Sequence, residues 1–119
     1  ARGEGMSAAD YIDLVHARAR VVASFDAATA PFDSVLMPTV PIVAPRIADL
    51  DDEREYNRVN LHILRNTAIG NFMDRCAISI PCHKPGEAPV GLMLAAAPHR
   101  DDALLAIGQA VEAVLNTIR

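Results

Sequence analysis

Nucleophilic catalysis needs a hydroxyl or thiol beside a base, with hydrogen-bond donors waiting for an oxyanion. The chain supplies few groups of that kind. Its serines are Ser7, Ser24, Ser34 and Ser79, none of them in a glycine-rich elbow. Ser79 lies within an apolar run that reads as a strand, where a structural role is the simpler reading. Cys82 and His83 put a thiol next to an imidazole in sequence, but adjacent residues on a strand point to opposite faces and would not form a working pair. His62 and His99 have no evident partner, and Lys84 is the single lysine among eleven basic residues. Cys76 and Cys82 bracket a strand, a spacing that fits neither a zinc site nor a redox pair. They read as reduced, buried thiols acting as small hydrophobes.

Five acids and one arginine crowd the stretch from Asp49 to Glu55. They lack the ligand spacing and turn glycine of a calcium loop, and they stand where a following helix presents its positive end, so they read as a cap. The six glycines never cluster after Gly5, so no phosphate-cradling loop is expected. Neither a metal nor a cofactor is expected. Asp74-Arg75 reads as a turn or helix-end ion pair, with contact between Arg75 and a substrate carboxylate as the alternative.

These groups sit in 119 residues of net charge −4, 51% hydrophobic and without tryptophan. That is enough length for one domain with a core, residues 1–119, built from Ala, Val, Leu and Ile. The scattered arginines form no stripe, which argues against nucleic acid as a partner. No apolar run reaches the roughly 18 residues of a membrane span, and no leader pattern opens the chain, so a cytoplasmic location without membrane contact is expected. The absence of an initiating Met suggests a piece of a longer protein.

Periodicity gives the elements. Ser7 and Asp10 resemble a capping box, and Tyr11, Leu14, Val15, Val22 and Phe25 recur at helical spacing over about twenty residues. Ser34 to Met37 reads as a strand closed by Pro38, and Pro38, Pro41 and Pro45 hold the next stretch extended along a rim. A helix from about Asp52 to Gly70 follows, apolar on more than one face yet holding Asn57, Asn60 and Asn66. Such amides are either satisfied in a core or line a pocket. Ala77–Ile80 and Val90–Ala96 form a hairpin about Lys84–Pro89. Neither strand alternates polar with apolar, so both faces of the hairpin should be covered. A last helix follows Arg100-Asp101-Asp102, with Gly108 on its apolar side marking close approach to a neighbouring backbone. Strand, helix, strand favours a parallel crossover, and the hairpin adds an antiparallel neighbour. The expected fold is α/β: a small mixed sheet of about three strands with three covering helices.

Read as an ordered string, the second half carries more. Asn71-Phe72-Met73-Asp74-Arg75-Cys76-Ala77-Ile78-Ser79-Ile80-Pro81-Cys82, then Pro89-Val90-Gly91-Leu92-Met93-Leu94, then a helix opened by Asp101-Asp102, resembles the C-terminal end of the amidase signature family. The upstream Phe32 to Pro41 looks like that family's strand ending in proline. Cys76 stands where many members have Pro, and Asp74-Arg75 where many have Gly-Leu. The resemblance implies a larger α/β/α fold and hydrolysis of carboxamides by a Ser-Ser-Lys triad lying upstream of the matched region, so it assigns no catalytic residue to this chain. It implies as partners a small-molecule amide and the remaining N-terminal part of such an enzyme, which leaves this segment inactive alone. It also places Leu64, Thr67, Ala68 and Asn71, on the helix before the hairpin, near the acyl pocket, with turn-holding as the other role for Asn71. The reading from a different class is a non-catalytic α/β module that binds a partner or forms a homo-oligomer through its apolar faces.

Overall fold

The computed structural model describes residues 3–118. The Ser7 hydroxyl accepts the Asp10 N–H at 3.2 Å while the Asp10 carboxylate accepts the Ser7 N–H at 2.9 Å, the reciprocal cap expected from the sequence. Helix α1 runs from it over Ala8–Thr29, and strand β1 follows at Val35–Pro38. The proline-spaced stretch after β1 forms no strand and leads to a short 3₁₀ turn at Ile47–Leu50.

The single helix expected over 52–70 is two helices. Asp52 caps α2 (Glu53–Ile63) by accepting the Glu55 N–H at 2.9 Å, and α3 covers Arg65–Phe72. Between them Leu64 has ψ of −10°, too shallow to carry the axis straight on. Of the amides that suggested a buried helix, Asn57 and Asn60 are exposed on α2 and only Asn66, on α3, is buried. The break explains the difference, because each short helix turns its own face inward.

Strands β2 (Cys76–Pro81) and β3 (Gly91–Ala96) form the expected hairpin, with Gly86 at φ 85° in its loop. The three-stranded sheet has the order β1-β3-β2, with Leu36, Leu94 and Ile78 in register across it. Both outer strands pair antiparallel to β3, so the sheet is antiparallel throughout rather than mixed. β1 and β2 do run in the same direction, as the crossover rule favours, but β3 lies between them. The burial pattern shows why: β3 is covered on both faces along Met93–Ala96, as suits the central strand, whereas β2 alternates and exposes Ala77, Ser79 and Pro81. The expectation of two covered faces therefore holds for one strand of the hairpin only.

Helix α4 (Asp101–Asn116) closes one face of the sheet. Leu104 joins Ile80, Leu94 and Ala96 in the buried cluster, with Ile107, Val111 and Leu115 packed around them. Leu94, fully buried at its centre, contributes about 1.5–3 kcal/mol by leaving water. Gly108 does mark a close approach, although to a side chain: a Cβ there would stand 3.1 Å from Ile78 Cδ1. Asp101 and Asp102 occupy the first turn, where they favour the helix dipole, but the capping position is Arg100, whose side chain makes no capping bond.

α1 is held differently and buries no residue. Near its C-terminal half Arg18 pairs with Asp74 at 2.6 Å and lies over the Phe72 ring, 5.4 Å from its centroid. Arg75 pairs with Asp26 and lies over Phe25 at 4.9 Å. Along the first half Tyr11, Ile12, Leu14 and Val15 are exposed, so the apolar face read from the sequence is present but uncovered by the described residues.

Candidate functional site

Leu64, Thr67, Ala68 and Asn71 follow the spacing i, i+3, i+4, i+7, which sets them along one side of α3. Asn66 and Gly70, four apart, are its buried pair. Leu64 is 49% exposed, Ala68 and Asn71 are exposed, and Thr67 is half-buried. The Leu64 carbonyl accepts both the Thr67 hydroxyl at 3.1 Å and the Ala68 N–H at 2.9 Å, so this end of the stripe is locally tied. The stripe is an open surface offering two apolar side chains, one hydroxyl engaged with its own helix, and one amide. It holds no nucleophile, base or oxyanion pocket.

The elements fix that stripe at both ends. At the N-terminal end Asn66 Nδ2 donates to the Pro38 carbonyl at 2.8 Å, pinning α3 to the last residue of β1. Arg65 Nε donates weakly to Asn66 Oδ1 at 3.4 Å, orienting the amide. At the C-terminal end the Arg75 N–H bonds to the Gly70 carbonyl at 3.0 Å and the Asp74 N–H reaches the Asn71 carbonyl at 3.4 Å. Asp74 has φ 54°, so this is a helix stop of the Schellman type with an aspartate in the left-handed position. Asn71 thus takes part in the turn through its backbone carbonyl. Its side chain makes no hydrogen bond among the described residues.

One further polar group lies at the same end of the sheet as Pro38. Thr39 Oγ1 and Ser79 Oγ are 2.5 Å apart, and the Thr39 N–H bonds to the Gly91 carbonyl at 2.8 Å. Gly91 leaves the room this pair occupies: a Cβ would collide with Ser79 Oγ and stand 2.7 Å from Thr39 Oγ1, so one of the hydroxyls would have to move. Ser79 is therefore a cross-strand hydroxyl bonded to threonine, with no base, as its place within a strand suggests. The Cys82-His83 pair also does no joint chemistry. Each engages Val90 instead: the Cys82 thiol donates to the Val90 carbonyl at 3.6 Å and His83 Nδ1 accepts the Val90 N–H at 3.3 Å. Of these residues, the sequence marks Asn66 as one of three amides for a core or a pocket, and it assigns no role to Thr39 or Gly91. The signal for Asn66 is an amide within an apolar helix, and Gly91 lies inside the strand read as Val90–Ala96.

A family model described as Amidase matches residues 2–105. Among curated relatives the chain is 37% identical over 84 residues to 2-amino-5-chloromuconic acid deaminase of Comamonas testosteroni, covering 70% of this chain and 18% of that protein. It is 31% identical over 104 residues to a glutamyl-tRNA(Gln) amidotransferase subunit of Halobacterium salinarum, covering 86% and 23%. The corresponding amidotransferase subunit of Sulfurisphaera tokodaii is 30% identical over 107 residues, covering 89% and 22%. The chain spans about a fifth of the length of each of these relatives. No solved structure matches it. The family match covers most of the chain, which therefore belongs to the amidase family.

Proposed function

We propose that this chain is the C-terminal segment of an amide hydrolase that cleaves carboxamide C–N bonds by a Ser-Ser-Lys mechanism, and that it supplies a wall of the substrate site rather than the catalytic groups. The observation that carries the reading is the amidase-family match over residues 2–105 combined with the residue inventory. Lys84 is exposed beside the hairpin turn and no two serines are adjacent, so the activated hydroxyl and its neutral lysine have no counterpart here. Leu64, Thr67, Ala68 and Asn71 then serve as the pocket side of α3. They offer two aliphatic side chains, a hydroxyl and an amide to the acyl part of a small amide, held in place by the Asn66 anchor.

Ammonia release from simple carboxamides tests this. The 119-residue chain alone should release none, and the protein that joins it to a Ser-Ser-Lys region should release ammonia with KM raised by substitutions along the α3 stripe. Turnover by the chain alone that disappears on Ser79→Ala or Cys82→Ala would overturn the assignment. A second reading, a self-associating α/β module, is favoured by the uncovered side of α1, where Tyr11 and Leu14 are exposed. Sedimentation separates the two. An oligomer that persists in the presence of the remaining enzyme supports the module, and one that dissolves into a complex with it supports the segment.

A further inference from the structure

A cavity of about 340 Å³ opens between the C-terminal turn of α1, the start of β1 and the end of β3. None of Leu64, Thr67, Ala68 or Asn71 lines it, so it is separate from the stripe on α3. We propose that this cavity binds a small organic carboxylate with an apolar body, held by Arg75 and Arg100.

Arg75 carries the argument. The Schellman stop after α3 turns this residue inward, and its side chain is only 5% exposed. A guanidinium keeps its charge at any accessible pH and brings five N–H donors, so its burial demands acceptors. Asp26 satisfies Nη2, and the Phe25 ring lies against the guanidinium face at 4.9 Å, which fixes its plane. Nε is buried and has no hydrogen-bond partner among the described residues. The cavity is thus lined by a cation whose plane Asp26 and Phe25 hold fixed. A second cation, Arg100, stands on the same lining.

The rest of the lining sets the class of ligand. Phe25, Phe32 and Val35 give apolar wall, and Ala95 to Ala97 leave space by having side chains no longer than a methyl. The volume falls in the range of sites for small organic molecules. Asp33 also lines the cavity, and Asp26 is already paired with Arg75, so the two arginines face two carboxylates. That balance disfavours a multiply charged inorganic anion, which gains nothing from the apolar wall, and suits a monocarboxylate that can use both. The proposal stands on this geometry and does not depend on the amide-hydrolase reading.

Benzoate is the probe, with benzyl alcohol as its neutral counterpart and inorganic phosphate as an anion without an apolar body, titrated into ¹⁵N-labelled protein. Saturable shifts of the Ser34 and Ala96 amides are expected with benzoate, and at least tenfold weaker ones with either comparison compound. Arg75→Met and Arg100→Gln should each weaken benzoate at least tenfold. Because Arg75 also holds α1, the informative partner variant is Ala97→Leu, an exposed position on the lining, which should fill the cavity and abolish the shifts while leaving the spectrum otherwise folded. Equal shifts by benzoate and benzyl alcohol, no saturable shift with benzoate, or unchanged binding in both Arg100→Gln and Ala97→Leu would overturn the proposal.

Discussion

The side-chain amide of Asn66 donates to the carbonyl oxygen of Pro38 at 2.8 Å, joining the first turn of α3 to the end of β1 across 28 positions of sequence. The residue is 7% exposed, so water does not replace the bond when it is lost. Asn66→Ala should destabilise the protein by about 1–3 kcal/mol, the cost of a buried polar group left without its partner. Asn66→Asp should cost more at neutral pH, because a carboxylate would face the Pro38 carbonyl. Urea unfolding measures both through the midpoint. A midpoint unchanged by Asn66→Ala would mean that α3 is positioned by other contacts.

Gly91 and the hydroxyl pair it accommodates should behave as one unit. Gly91→Ala places a methyl against Ser79 Oγ and 2.7 Å from Thr39 Oγ1, an overpacking that should cost about 1–3 kcal/mol. Ser79→Ala removes the nearer obstacle and loses the Thr39 bond. The double variant should therefore be more stable than the sum of the single changes implies, with a coupling of about 0.5–3 kcal/mol in a double-mutant cycle. Strict additivity would show that the strand start shifts to make room.

Asp74 tests the helix stop. Its φ of 54° is one that aspartate tolerates and glycine prefers, and the resemblance drawn from the sequence has Gly at this place in many members. Asp74→Gly relieves the backbone and loses the Arg18 pair, whose partners are 40% and 56% exposed and whose worth is at most about 1 kcal/mol. Stability should stay within about 1 kcal/mol of the parent. Asp74→Val meets the same φ with a branched side chain and should cost about 1–3 kcal/mol, read from thermal unfolding.

The start of α1 should depend on pH. Hydrogen bonds from the Ser7 side chain, and then from its backbone, hold the Asp10 carboxyl below its ordinary value. A carboxyl depressed by folding contributes above the unfolded-state value and loses that contribution as pH falls through the folded one. The protection of the Ser7 amide, its exchange relative to the intrinsic rate at each pH, should therefore fall as the pH drops below the ordinary aspartate range. Asp10→Asn should flatten that dependence, while Ser7→Ala should speed exchange through the first turn at every pH. A wild-type profile as flat as that of Asp10→Asn would show that the reciprocal cap does not hold the helix start.

What the amino-acid string determined by itself is local. Ser7, Asp52 and the prolines after Met37 set where helices start and where regular structure stops, because caps and fixed φ angles act over three or four residues. The apolar period of 3.6 found α1 and α4, and the Pro-Gly turn found the hairpin. The ordered string from Asn71 to Leu94 also carried the amidase resemblance, which the family match agrees with. Tertiary structure decided what depends on partners distant in sequence. β3 took the centre of the sheet because its residues alone are covered on both faces, and that made every pairing antiparallel. The break at Leu64 selected Asn66 from three candidate amides, and no sequence rule pairs it with Pro38. Arg75, which reads from sequence as half of an Asp-Arg ion pair with its neighbour, pairs instead with Asp26, while Asp74 takes Arg18. The left-handed turn at Asp74 sends adjacent side chains to different stretches of α1, and only the folded chain brings those stretches within reach.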